Sequence, residues 1–239
     1  MTFELATKFK PDADEPFAAA VAAGMKAAEL WTGPEVLAAA GEVVERARRF
    51  SLRYALHFPN RRDLTPEQLA AFAELYRALD CRSFTIHELE YDRYASDLER
   101  MAPDLRPAVE NSMLAYDDLP RWATTRPGLT LDVEHIWCFT VRGAPLSEVV
   151  AVVRDLLKQH AHKVRHVHLP GYWAEGEEHR PLHRSPDFAG AMLGLLADVG
   201  YSGFVVSEAD TQYQTVPEMS ADVEFVAAWR RRRTLADSP

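Results

Sequence analysis

Cysteine is nearly absent from this chain. Two occur in 239 residues, Cys81 and Cys138, which excludes a disulfide framework and favours a reducing compartment. No run of about 18 apolar residues exists, so no membrane-spanning helix is expected. Residues 1–10 lack the basic, apolar and cleavage regions of a secretion signal, and the cytoplasm is the expected location. No Gly/Ser-rich linker, low-complexity tract or fixed-period repeat interrupts the sequence, which leaves one domain over residues 1–239. Positive charge is in deficit: 27 Lys and Arg against 36 Asp and Glu give a formal net charge of -9. That balance repels a phosphate backbone at long range and argues against a dedicated nucleic-acid partner.

What is present is alternation. Apolar residues make up 47% of the chain, enough for a large core. Short β-prone segments fall at residues 5–9, 27–31, 53–58, 83–87, 107–111, 129–133, 164–169 and 204–208. Helical stretches with apolar residues three and four apart lie between them. Thr65-Pro66-Glu67-Gln68 opens one helix, with Thr65 as N-cap and Gln68 completing a capping box. Gly33-Pro34-Glu35 opens another, running to Phe50, and Ser147 is the expected cap of the helix that ends near His160. Eight strands with intervening helices predict a parallel sheet closed as a single α/β (β/α)8 TIM barrel.

Barrel enzymes carry their chemistry at the C-terminal ends of the strands. Six consecutive segments end on a polar group: His57, His87, Glu110, Asp132 with His135, His168 and Glu208. Side chains alternate along a strand, so the residues two before share the same face. These are Ala55, Thr85, Ala108, Thr130, His166 and Val206, mostly small. The intervening Leu56, Ile86, Val109, Leu131, Val167 and Ser207 are the set that should face the helices. Any one histidine here reads most simply as a hydrogen-bonded core or surface residue. Three inward carboxylates together are costly to bury unless a cation neutralises them. Mixed imidazole and carboxylate donors suit zinc, manganese, iron or cobalt better than calcium.

Val109-Glu110-Asn111, Leu131-Asp132-Val133-Glu134-His135, His166-Val167-His168 and Val205-Val206-Ser207-Glu208 resemble the xylose-isomerase-like barrel superfamily. It includes sugar-phosphate isomerases, ketose 3-epimerases and endonuclease IV. The resemblance runs from about His57 to Glu208. For a 3-epimerase it implies a divalent metal ion held by Glu110, Asp132, His168 and Glu208. Glu110 and Glu208 would also be catalytic, moving the proton, and His135 would contact a sugar-like substrate. For endonuclease IV it implies a three-zinc centre in which His57, His87 and Glu110 hold one ion. There Asp132, His168 and Glu208 would hold a second, and His135 with Glu177-Glu178-His179 a third. Glu177 stands where an aspartate is expected, and Pro181 to Ser185 replace a common Gly-x-Gly turn.

Further substrate contacts are expected from His179, Trp137, Trp173 and Arg184 beside the histidines His57, His87 and His135. The tryptophans could equally be barrel covers. The leading expectation is a metal-dependent isomerase or epimerase with one tightly bound ion. An endonuclease IV-like phosphodiesterase is the second, and a barrel that binds a small molecule without turnover the third. Homo-oligomer formation is left open.

Overall fold

The structure is a computed structural model that describes residues 3–173 and 177–236, apart from the side chains of Trp173, Glu177 and Ala236. The elements run β1 (Glu4–Phe9), α1 (Glu15–Ala22), β2 (Ala27–Trp31), α2 (Pro34–Ala38), α3 (Ala40–Ala47), β3 (Arg53–His57), α4 (Pro66–Ala78), β4 (Phe84–His87), α5 (Glu88–Met101), β5 (Pro107–Glu110), α6 (Leu119–Thr125), β6 (Leu129–Asp132), α7 (Val133–His135), α8 (Leu146–His160), β7 (Val164–His168), β8 (Gly171–Trp173), β9 (Glu177–Arg180), α9 (Pro186–Asp198), β10 (Phe204–Val206) and α10 (Val216–Ala236). Eight of these strands close into a barrel in the order β1-β10-β7-β6-β5-β4-β3-β2. Every pair in the ring is parallel. No helix among the described residues is long and apolar enough to cross a membrane.

The period-2 pattern sorts the strands as the sequence suggests. Leu56, Ile86, Val109, Leu131 and Val167 are fully buried against the helices. Inside the ring, Ala6, Ala27 and Val206 form a small apolar plug. Above it lie Ala55, Thr85, Ala108, Thr130 and His166, all at most 2% exposed. A layer of such small volume leaves space at the mouth for longer polar side chains.

Several boundaries differ from the sequence reading. The barrel strands end at residues 57, 110, 132, 168 and 206, one or two residues early. At β6 the reason is visible. The Asp132 N–H is already taken by the Asn111 side chain, and Val133 enters α7 at once. Glu208 therefore reaches the mouth from a loop. The expected helix from Pro34 breaks at Ala39 (φ -107, ψ 23) into α2 and α3. Ser147 does not cap α8; Pro145 is the N-cap, with no side-chain bond. The Thr65–Gln68 capping box is present as expected. The antiparallel β8–β9 pair was not anticipated.

Packing near the mouth depends on aromatic contacts. Phe72 on α4 is fully buried and meets Phe58 edge-on at 4.9 Å and Phe84 at 5.0 Å. Phe58 follows His57 directly, so this cluster backs β3 and β4 where they present their histidines. Replacing Phe72 with Ala is expected to cost roughly 3–5 kcal/mol of unfolding free energy, measured by urea denaturation. A loss below about 1 kcal/mol would show that the cluster is not a principal support.

Candidate metal centre

Three strand ends bring Glu110, Asp132 and His168 together. Each is at most 1% exposed, and each offers a donor atom within 4.8 Å of the others. The His168 Nδ1 lies 3.8 Å from Glu110 Oε2, 3.7 Å from Asp132 Oδ2 and 2.8 Å from Glu208 Oε2. These four atoms, Glu110 Oε2, Asp132 Oδ2, His168 Nδ1 and Glu208 Oε2, are buried without a well-formed hydrogen bond among the described residues. Unsatisfied buried donors and acceptors are costly. Three carboxylate oxygens and an imidazole nitrogen turned toward one region make a donor set that fits a divalent ion.

Each ligand atom is freed by a bond elsewhere on its own residue or neighbour. Asn111 donates to the Asp132 carbonyl and accepts from the Asp132 N–H, both at 2.8 Å, extending the β5–β6 ladder one rung. Asp132 Oδ1 caps α7 by accepting the His135 N–H at 2.8 Å, leaving Oδ2 to face the site. The chain end at β10 is clamped from behind. Ser207 donates to Asp222 Oδ2 at 2.6 Å, and Asp222 Oδ1 lies 2.8 Å from both His183 N and Nδ1. The serine is bonded to the aspartate and not to the histidine, so this trio is a clamp and no activated nucleophile.

The remaining histidines surround Glu110. His57 Nε2 and His87 Nε2 lie 3.4 and 3.3 Å from Glu110 Oε2, and His135 Nδ1 lies 3.2 Å from Oε1. His57 turns its Nδ1 to the Phe58 carbonyl at 2.9 Å, which fixes Nε2 toward the mouth. His57, His87 and Glu110 form a second set with metal-ligand spacing. Burial pushes the Glu110 carboxyl up, but the three imidazoles more than offset it and hold it well below the usual range. His168 is desolvated, yet Glu208 and Glu29 raise it well above an ordinary imidazole.

Two residues missed in the sequence complete the charge pattern. Lys8 on β1 pairs closely with Glu208 Oε1 and lies 3.7 Å from Glu29. Glu29 on β2 is fully buried. Both follow from the alternation already applied to the other strands: Ala6-x-Lys8 and Ala27-x-Glu29-x-Trp31 share the inner face. A third missed residue, Glu134, is buried beside Asp132. Burial and that neighbour push its carboxyl up to about 9. It accepts the His179 N–H at 2.9 Å, with His179 in a left-handed turn (φ 53).

The other expected contacts are distributed differently. His179 comes within 6.3 Å of the His135 ring centroid, at the mouth. Trp137 donates to the Ala144 carbonyl at 2.9 Å and packs on Tyr172 and Phe188, as a cover of the barrel. Arg184 pairs with Glu218 and lies over Tyr213. The Trp173 and Glu177 side chains lie outside the described residues. A cavity of about 410 Å3 opens beside Glu208, lined among others by Lys8, Lys10, Trp31 and His179. Trp31, 44% exposed, is its aromatic wall.

Solved structures share this arrangement of strands and helices along nearly their whole length. A D-tagatose 3-epimerase-like protein is 15% identical over 99% of this chain and 100% of its own, with a TM-score of 0.69. What the two share is the fold, a closed eight-stranded parallel barrel ringed by helices. A Thermus thermophilus protein soaked with zinc chloride has the same barrel at 18% identity, over 95% of this chain and 98% of its own, TM-score 0.67. A D-allulose 3-epimerase from Methylomonas sp. follows at 14% identity, over 95% and 98%, TM-score 0.63. At these identities the likeness is one of fold. No protein-family model matches the chain, and no curated protein does.

Replacing Glu208 with Gln keeps the shape and removes one anionic donor. The expected result is a loss of Co2+ affinity beyond the roughly 10- to 100-fold that an outer partner typically contributes, with an unchanged circular dichroism spectrum. Undiminished binding in Glu208→Gln would remove this residue from the ligand set.

Proposed function

We propose that this barrel is a metal-dependent isomerase or epimerase of a sugar or related hydroxy-carbonyl compound. One divalent ion, manganese, zinc, cobalt or iron, would be held by Glu110, Asp132, His168 and Glu208. The observation that carries the reading is the convergence of three carboxylate oxygens on one buried imidazole nitrogen, beside an open cavity. The charge balance supports it. Glu110, Asp132 and Glu208 bring three negative charges, and Lys8 with a divalent ion brings three positive. Among the structural neighbours, one D-allulose 3-epimerase is solved in complex with D-allulose.

The bound ion would supply Lewis-acid polarisation of adjacent carbonyl and hydroxyl oxygens, acidifying the C–H next to the carbonyl. The chain's own residues do the rest. One of Glu110 and Glu208 removes the proton and the other returns it. Lys8 holds Glu208 Oε1, so that carboxylate stays oriented while its other oxygen works. His87 and His135, whose side chains are 24% and 15% exposed, stand where they can donate to substrate oxygens. His57 and His179 complete that ring of imidazoles, and Trp31 offers a face for a sugar ring. Trp137 and Arg184 are not part of this proposal, because their polar groups are engaged by Ala144 and Glu218.

A second reading draws on the His57, His87 and Glu110 set. Two imidazoles aimed at one carboxylate oxygen are also what a second ion would need, as in a multi-metal phosphodiesterase. The acidic total of -9 weighs against a DNA substrate. Two measurements separate the readings. Incubation with ketoses in D2O should place deuterium on the carbon next to the carbonyl, and dialysed protein should hold one metal equivalent. Nicking of abasic duplex DNA without exchange in any ketose, together with two or three equivalents, would select the phosphodiesterase.

A further inference from the structure

We infer that Glu29 is a positioning residue for the metal centre, holding His168 so that its Nδ1 faces the carboxylate ligands. The inference rests on the metal reading above and assigns a role to a residue outside the ligand set. Glu29 is a fully buried carboxylate in the middle of β2, a place where an ionised group is costly without several partners. Its partners come from across the barrel. His166 Nε2 lies 2.6 Å away and His168 Nε2 3.2 Å away, both on β7. The Thr85 hydroxyl on β4 donates to it at 3.1 Å and lies 3.1 Å from the Thr130 hydroxyl on β6. The Lys8 ammonium on β1 is 3.7 Å away.

The consequence concerns the two nitrogens of His168. An imidazole that binds a metal carries its single proton on the other nitrogen. With Nε2–H directed at Glu29, the lone pair sits on Nδ1, the atom that lies closest to Glu208 and near Asp132 and Glu110. The opposite tautomer would set the Nε2 lone pair against the Glu29 carboxylate and place a hydrogen where the ion belongs. Thr85 holds Glu29 itself from β4, and Thr130 on β6 backs Thr85, so the orientation is built from outside the centre. Lys8 offers a competing account, in which Glu29 merely balances a buried cation.

Co2+ titration followed by visible absorption, at a temperature where circular dichroism shows each variant folded, decides between them. Wild-type protein should bind Co2+ with a defined visible spectrum. Glu29→Gln should bind about 10- to 100-fold more weakly, with an altered band envelope. Glu29→Asp, which keeps the charge but shortens the reach, should fall between the two and carries the test should the glutamine variant not fold. Charge balance predicts that in a Lys8→Met background Glu29→Gln costs no further affinity; positioning predicts the same loss there, whatever Lys8→Met alone does through Glu208. Affinity within two-fold of wild type in the Glu29 variants, or no further loss from Glu29→Gln in the Lys8→Met background, overturns the inference. No Co2+ uptake by wild type would overturn the metal reading and this one with it, a result distinct from binding that is indifferent to Glu29.

Discussion

Mutual repulsion of carboxylates governs the mouth of this barrel. Glu29, Glu110, Asp132 and Glu134 are each at most 1% exposed, and Glu208 completes the group. In a region shielded from water, like charges at such spacing raise one another's energy steeply. The neighbours are arranged to answer that. Four imidazoles approach Glu110, Lys8 approaches Glu208, and two histidines of β7 approach Glu29. Glu134, desolvated beside Asp132 and bonded by the His179 N–H, is driven toward its neutral form instead. The proposed ion would complete this balance where Glu110 Oε2, Asp132 Oδ2 and Glu208 Oε2 face His168 Nδ1.

Rigidity follows from how those side chains are held. The strand ends are short, and side chains take over where the ladder stops. Asn111 carries the β5–β6 pairing one residue further. Ser207, Asp222 and His183 tie the loop bearing Glu208 to α10. Glu134 draws the β9 residue His179 over the mouth. Each device joins segments far apart in the chain, so the ligand atoms are located by the barrel as a whole.

Much of this was legible in the sequence, because it follows from local rules. Alternation along six strands separated outward Leu, Ile and Val from inward polar residues, and those strand ends include Glu110, Asp132, His168 and Glu208, the set that the resemblance to 3-epimerases implied. The Thr65–Gln68 box announced α4 through its own side chains. The illegible parts are those where a distant partner overrides a local signal. Ser147 looked like a cap, but the chain had already entered the helix after Pro145. Gly33 to Phe50 looked like one helix, but the backbone departs from helical angles at Ala39. Trp137 could be read as a sugar platform or a barrel cover, and its indole N–H is held by the Ala144 carbonyl. Lys8 and Glu29 stand at strand positions obeying the same period as the rest. A lone charged residue in a short segment carries no sign of the partner that makes its burial tolerable.

By itself the sequence determined the barrel, the inner face of its strands and the class of donors at one end, since periodicity and residue chemistry act over a few residues. Only the tertiary structure decided which atom of each donor is free and which is occupied. Lys8 meets Glu208 across 200 residues, and His168 meets Glu29 across 139. Those pairs exist because ring closure places β1 beside β10 and lets a β2 carboxylate reach β7 through the interior. Electrostatic energy depends on distance in space, and the sequence order of these residues does not encode it.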